Sequence, residues 1–172
     1  MFENIIKNVH NRHPLIHCIT NYVSINDCAN IVLACGGAPI MAEDINEVSQ
    51  ITSICQGLDI NIGMLNDNKL SSMLKAGATA NELGIPVILD PVGAGSSDYR
   101  IKAVQNLMSN VQFGVIRGNV SEIKAIAAKQ GIHNIAAGVY ETMQKNKSAM
   151  GVEAGIADKI TDDNIKEMAD FI

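Results

Sequence analysis

The chain has 172 residues, 47% of them hydrophobic, 18% charged and 3% aromatic, with a formal net charge of −5. A chain of this length suits one domain that buries about 70% of its unfolded surface without a metal or disulfide staple, and its apolar content excludes a disordered polymer. Three Tyr, three Phe and no Trp argue against a stacking platform for single-stranded nucleic acid, and the acidic balance argues against a phosphate-backbone binder.

The elements follow in chain order. Leu15-Ile16-His17-Cys18-Ile19 predicts a first buried strand. Small and aliphatic residues at helical spacing predict a helix over 25–35, stopped by Gly36-Gly37. A short extended piece over 38–41 leads through an acidic turn to a helix over 45–55. Residues 58–62 alternate and read as a strand ending at Gly63. An Ala-rich helix over 69–83 ends at Gly84. Residues 85–89 form an apolar strand with Pro86 tolerated at its entry. A helix over 101–108, a strand over 113–116 and a helix over 121–129 complete the alternation. Beyond it, 131–150 is polar and partly helical, and an amphipathic helix opens at Thr161, with Ile165, Met168, Ala169 and Ile172 on one face.

Hydrophobic strands alternating with helices imply right-handed βαβ units and a parallel sheet in a single α/β domain over 1–172. Ligands of such sheets bind outside the carboxyl ends of the strands. That rule selects residues 17–21, 61–63, 90–95 and 117–122.

Asp90-Pro-Val-Gly-Ala-Gly follows the most apolar strand. Its carboxylate reads equally as a ligand for hydrated magnesium or as a helix-capping turn residue. Glu122, after the next strand, adds a second acid, so that two strand ends can share one hydrated cation. Arg117 supplies either a planar phosphate fork or a solvated charge. Asn119 is a candidate N-cap. Thr20 and Asn21 can bond a small heterocycle or cap the next helix. Met41 lines an apolar pocket or fills a core gap. His17 reads first as a satisfied core histidine.

The cysteines are Cys18, Cys28, Cys35 and Cys55, with no C-x-x-C pair. Cys18 reads as an inert buried thiol. Zinc held by Cys18, Cys28 and a histidine is disfavoured by the ligand spacing. The sequence opens Met-Phe-Glu-Asn, without the basic and apolar regions of a signal peptide, and its apolar runs are short for a bilayer. The expectation is a cytoplasmic chain with reduced thiols and no membrane partner.

Five motifs in order, His-Cys-Ile-Thr-Asn-Tyr-Val (17–23), Gly-Ala-Pro-Ile-Met-Ala (37–42), Asn-Ile-Gly (61–63), Pro-Val-Ile-Leu-Asp-Pro-Val-Gly-Ala-Gly (86–95) and Val-Ile-Arg-Gly-Asn-Val-Ser-Glu-Ile (115–123), closely resemble the hydroxyethylthiazole kinase family. The resemblance covers residues 1 to about 127 and resumes near 151. It implies a ribokinase-like parallel sheet with helices on both faces. It also implies ATP- and Mg2+-dependent phosphorylation of the primary hydroxyl of 4-methyl-5-(2-hydroxyethyl)thiazole, a salvage step in thiamine biosynthesis, by a trimer with active sites between subunits. By motif, Asn21, Val23, Met41 and Gly63 correspond to the thiazole side, Asp90 and Glu122 to the magnesium-associated acids, and Arg117 with Asn119 to the ATP side.

The family's Thr-Gly-Thr-Gly-Cys motif, whose backbone N–H groups surround the transferring phosphate and whose Cys activates the hydroxyl, does not occur in these 172 residues. The four cysteines do not replace it, and residues 131–150 diverge from the family's connection. The resemblance therefore implies a C-terminally shortened chain with no catalytic residue carried over. The alternative is a non-catalytic chain that binds thiazole or assembles with other subunits. An uncovered apolar sheet edge or face, and self-association, are expected to accompany such shortening.

Overall fold

A computed structural model describes residues 2–129 of the chain. The expectations for 131–150 and for the helix after Thr161 lie outside the described residues. The elements are α1 (Phe2–Arg12), β1 (Leu15–Ile19), α2 (Ile25–Ala34), β2 (Ala38–Ile40), α3 (Val48–Ser53), β3 (Gly57–Asn61), α4 (Asp67–Glu82), β4 (Val87–Asp90), α5 (Asp98–Asn110), β5 (Val115–Ile116) and α6 (Val120–Lys129). The described residues divide into two compact units, one of 2–90 with 106–116 and one of 91–105 with 117–129.

The whole sheet lies in the first unit. Its five strands run parallel in the order β2-β1-β3-β4-β5. The chain therefore turns one way from β1 to β2 and the other way from β3 onward. Right-handed crossovers then send α2 to one face and α3 and α4 to the other. The reversal lies between β1 and β3, which makes their carboxyl ends the switch-point crevice of this α/β protein.

Strand register fixes the core. His17, Leu58 and Val87 form one cross-strand row, and Ile19, Ile60 and Leu89 the next on the same face. All six are buried, as are Val48 and Thr52 of α3 and Met73, Ala76 and Ala80 of α4. The opposite face carries Cys18, Asp59, Ile88 and Val115 in one row. Cys18 is buried, whereas Ile88 and Val115 are exposed.

Two helix ends were legible because their chemistry is local. Gly36 and Gly84 adopt φ of +90° and +67°. In both cases the glycine N–H and the N–H after it return to helix carbonyls, Gly36 to Leu33 and Gly37 to Val32, Gly84 to Asn81 and Ile85 to Ala80. This closing turn needs a left-handed residue that glycine supplies without a Cβ clash. α1 is an addition to the expected elements. α3 is shorter than expected because Asp44 first forms a turn, accepting from the N–H groups of Asn46, Glu47 and Val48. No helix among the described residues is long and apolar enough to cross a membrane.

Candidate active site

In the first unit, three strand ends meet in a row of hydrogen bonds. Asn21 follows β1, Asn61 closes β3 and Asp90 closes β4. The Asn21 Nδ2 donates to Asn61 Oδ1 at 3.1 Å, and the Asn61 Nδ2 donates to Asp90 Oδ2 at 3.0 Å. The directions are determined at every link. Asn61 Oδ1 also accepts from the Gly63 N–H at 2.8 Å, and a backbone N–H only donates. Asn21 Oδ1 likewise accepts from the Ser24 N–H at 3.0 Å and from its hydroxyl at 3.1 Å. An ionised Asp90 only accepts, so the polarity runs from Asn21 to the carboxylate.

Gly63 is required by this row. A Cβ there would lie 2.9 Å from Asn61 Oδ1 and 3.0 Å from Asn21 Nδ2. Val23, two residues beyond Asn21, is 88% exposed. Met41 sits half-buried just past β2. The structure thus brings Asn21, Gly63 and Asp90 together through Asn61, a residue within the Asn-Ile-Gly motif whose own role sequence reasoning missed.

Beneath β1, His17 is buried as expected of a core histidine. Its Nε2 lies 2.8 Å from the Ala42 carbonyl and its Nδ1 2.9 Å from Thr52 Oγ1. The carbonyl only accepts, so the Nε2 carries the proton. Burial holds the imidazole below its ordinary 6.5, against the opposing pulls of the Ala42 carbonyl and the Glu47 charge. Cys18 is pushed up to about 12, first by burial and then by the charge of Asp59 and the neighbouring thiols. It is a neutral thiol, as read from the sequence. All four cysteines are free, and no group of three or more acidic, His or Cys residues able to hold a metal occurs among the described residues.

Lys69 is the second residue that the sequence did not single out. It is 4% exposed, in the first turn of α4. Its Nζ donates to the Thr20 carbonyl, lies 2.8 Å from Glu43 Oε2 and stands 4.6 Å from the centroid of the Tyr22 ring. The Tyr22 hydroxyl donates to the other oxygen of Glu43. Desolvation pushes the Glu43 carboxyl up, but the hydrogen bonds from Lys69 and Tyr22 and the Lys69 charge together hold it below its ordinary value. Tyr22 is raised, first by its bond to Glu43.

In the second unit, Glu122 is buried and binds two backbone segments. Its Oε1 accepts from the Gly93 N–H at 2.9 Å and its Oε2 from the Asn119 N–H at 2.8 Å. Asn119 Oδ1 accepts in return from the Glu122 N–H at 2.9 Å. This reciprocal pair is a capping box at the start of α6, and Asn119 is the N-cap that its sequence position suggested. The same carboxylate fixes the Gly-rich loop after Asp90. Arg100 closes that loop from the other side, its Nη1 donating to the Val92 carbonyl at 2.9 Å. Arg117 is exposed immediately after β5.

The chain is a parallel α/β protein with a polar row at its switch point, the place where such sheets hold their ligands. The chain belongs to the hydroxyethylthiazole kinase family, whose family model matches residues 6–162. It is 52% identical to the hydroxyethylthiazole kinase of Clostridium acetobutylicum over 171 residues, 99% of this chain and 57% of that protein. It is 58% identical to the hydroxyethylthiazole kinase of Alkaliphilus metalliredigens over 124 residues, 72% of this chain and 46% of that one. The solved structure of a hydroxyethylthiazole kinase from Pyrococcus horikoshii matches with a TM-score of 0.72 at 38% identity, covering 79% of this chain and 53% of that chain. The chain spans about half the length of the curated relatives it matches.

Proposed function

We propose that this chain forms the thiazole-binding and acid-bearing part of a hydroxyethylthiazole kinase, with ATP as co-substrate and 4-methyl-5-(2-hydroxyethyl)thiazole as the phosphate acceptor. The observation that carries the proposal is the row Asn21–Asn61–Asp90 at the switch point. It places a neutral amide suited to a heterocycle in one hydrogen-bonded unit with a carboxylate suited to a phosphate-bound cation.

Asn21, Val23, Met41 and Gly63 form the thiazole side of this reading. Arg117 is the ATP-side cation, and Asn119 orients the start of α6 beside it in sequence. Asp90 and Glu122 are the magnesium-associated acids. The hard carboxylate oxygens of Asp90 fit that ion, which keeps several waters and takes few carboxylates besides phosphate. Bound magnesium would neutralise charge on the transferring phosphate. Glu122 already accepts a backbone N–H on each oxygen, so its own part is to hold the loop at Gly93 and the cap at Asn119 in register. Asn61 keeps Asp90 oriented by donating to Oδ2.

The reaction is read as cytoplasmic, the compartment in which thiols stay reduced. Assembly is read as a homo-oligomer, a trimer by the family resemblance. α2 supports it, since none of its residues is buried and Ile31 and Leu33 are exposed.

Calorimetric titration with hydroxyethylthiazole and hydroxymethylpyrimidine tests this reading. Binding of the thiazole supports it, and binding of the pyrimidine alone overturns the substrate assignment.

A further inference from the structure

Lys69 breaks a local rule. Asn66 caps α4, accepting from the Lys69 N–H at 2.9 Å, which makes Lys69 the third residue of the helix. The positive end of the helix dipole disfavours a cation there, and a capping box would place an acid at this position. Burial adds the cost of desolvating the ammonium. The cap already satisfies the backbone N–H, so the charge does nothing for α4 itself. Its partners all lie outside the helix.

Those partners have a pattern. Thr20 directly precedes Asn21. Glu43 lies two residues after Met41. Lys69 belongs to the segment that starts at Gly63. One ammonium therefore joins the three loops that leave β1, β2 and β3, the same loops that carry the thiazole-side residues. The ammonium donates to a carbonyl, pairs with a carboxylate and stands over an aromatic ring. Tyr22 closes the cluster through the second carboxylate oxygen. Consistency between local preference and tertiary structure is the norm, and departures concentrate at functional sites.

We propose that Lys69 is a positioning residue for ligand binding: with Glu43 and Tyr22 it latches the turn after β1, so that Asn21 presents its carboxamide in one orientation. The latch acts through Asn21 and touches no ligand itself. It rests on the reading of Asn21 as a thiazole-side residue.

The test uses the 172-residue chain and three variants. Lys69→Met keeps the apolar stem and removes the charge, Lys69→Arg restores a cation, and Gly77→Ala destabilises the protein away from the latch. Hydrogen exchange by mass spectrometry reads the peptide spanning 20–24, calorimetry reads hydroxyethylthiazole affinity, and a thermal melt reads stability. Lys69→Met is expected to speed exchange across 20–24 at least tenfold and to weaken thiazole binding at least tenfold. Lys69→Arg should recover most of both, and Gly77→Ala should lower the melting temperature with wild-type affinity.

Unchanged exchange in Lys69→Met overturns the proposal. So does an affinity loss that Gly77→Ala reproduces at equal loss of stability. If Lys69→Met does not fold, Glu43→Gln carries the same test, because Glu43 is partly exposed. If the wild-type chain binds no hydroxyethylthiazole, the substrate reading fails, and the latch is decided by the exchange of 20–24 alone.

Discussion

Replacing Asn61 by aspartate changes one donor into an acceptor and nearly nothing in shape. In the wild-type protein its Nδ2 donates to Asp90 Oδ2 across 3.0 Å. In Asn61→Asp two carboxylates face each other at that separation. Two unit charges 3.0 Å apart repel by about 5.5 kcal/mol at an effective dielectric near 20. The protein can avoid this by holding one proton. At pH 7 that costs ~1.4 kcal/mol for each unit between the carboxyl's ordinary value near 4 and the solution, so the net penalty is capped at about 4 kcal/mol. Below about pH 5 the proton is cheap to hold, and a protonated carboxyl donates where the amide did. Asn61→Ala instead loses its hydrogen bonds at any pH, at about 1–3 kcal/mol. Urea unfolding of both variants from pH 4.5 to 8 reads the difference. The expected result is an Asn61→Asp penalty that shrinks by at least half between pH 7 and pH 4.5, and an Asn61→Ala penalty that does not. An Asn61→Asp protein as stable as wild type at pH 7 would refute the polarity assigned to the row.

Other consequences are equally checkable. Because burial holds folded His17 below 6.5, the unfolded chain takes up the proton first. Stability should fall as pH drops below about 6.5 and level off once the folded imidazole also protonates; His17→Gln should lose that part of the slope in urea titrations at pH 5 and pH 8. Gly77→Ala places a Cβ 2.5 Å from Val111 Cγ2, and the overpacking should cost about 1–3 kcal/mol, with Val111→Ala recovering part of it in the double variant. Glu122→Gln puts an amide NH2 where one of two backbone N–H groups needs an acceptor. It should cost about 1–3 kcal/mol, seen as a lower urea midpoint and faster exchange at Asn119 or Gly93.

The described elements after α1 were legible because their signals are local. Apolar runs of four or five residues marked the strands, and Gly36 and Gly84 marked helix ends through their own backbone freedom. The general rule for parallel sheets also selects residues 17–21 and 61–63 from the sequence. α1 was not read from the sequence although Phe2, Ile5, Ile6 and Val9 stand at helical spacing within it. Asn119 caps α6, and His17 bonds Ala42 and Thr52.

By itself the sequence determined the alternation of strands and helices and the family motifs in their order. Those features depend on residues within a few positions of one another. Tertiary structure alone decided that Asn21 donates to Asn61, 40 residues away, and Asn61 to Asp90, 29 residues further on. It also decided that a lysine in the first turn of α4 reaches back 49 residues to the carbonyl of Thr20. The direction of a hydrogen bond, and the worth of a buried charge, are set by which groups meet once water is gone. No local pattern carries that information.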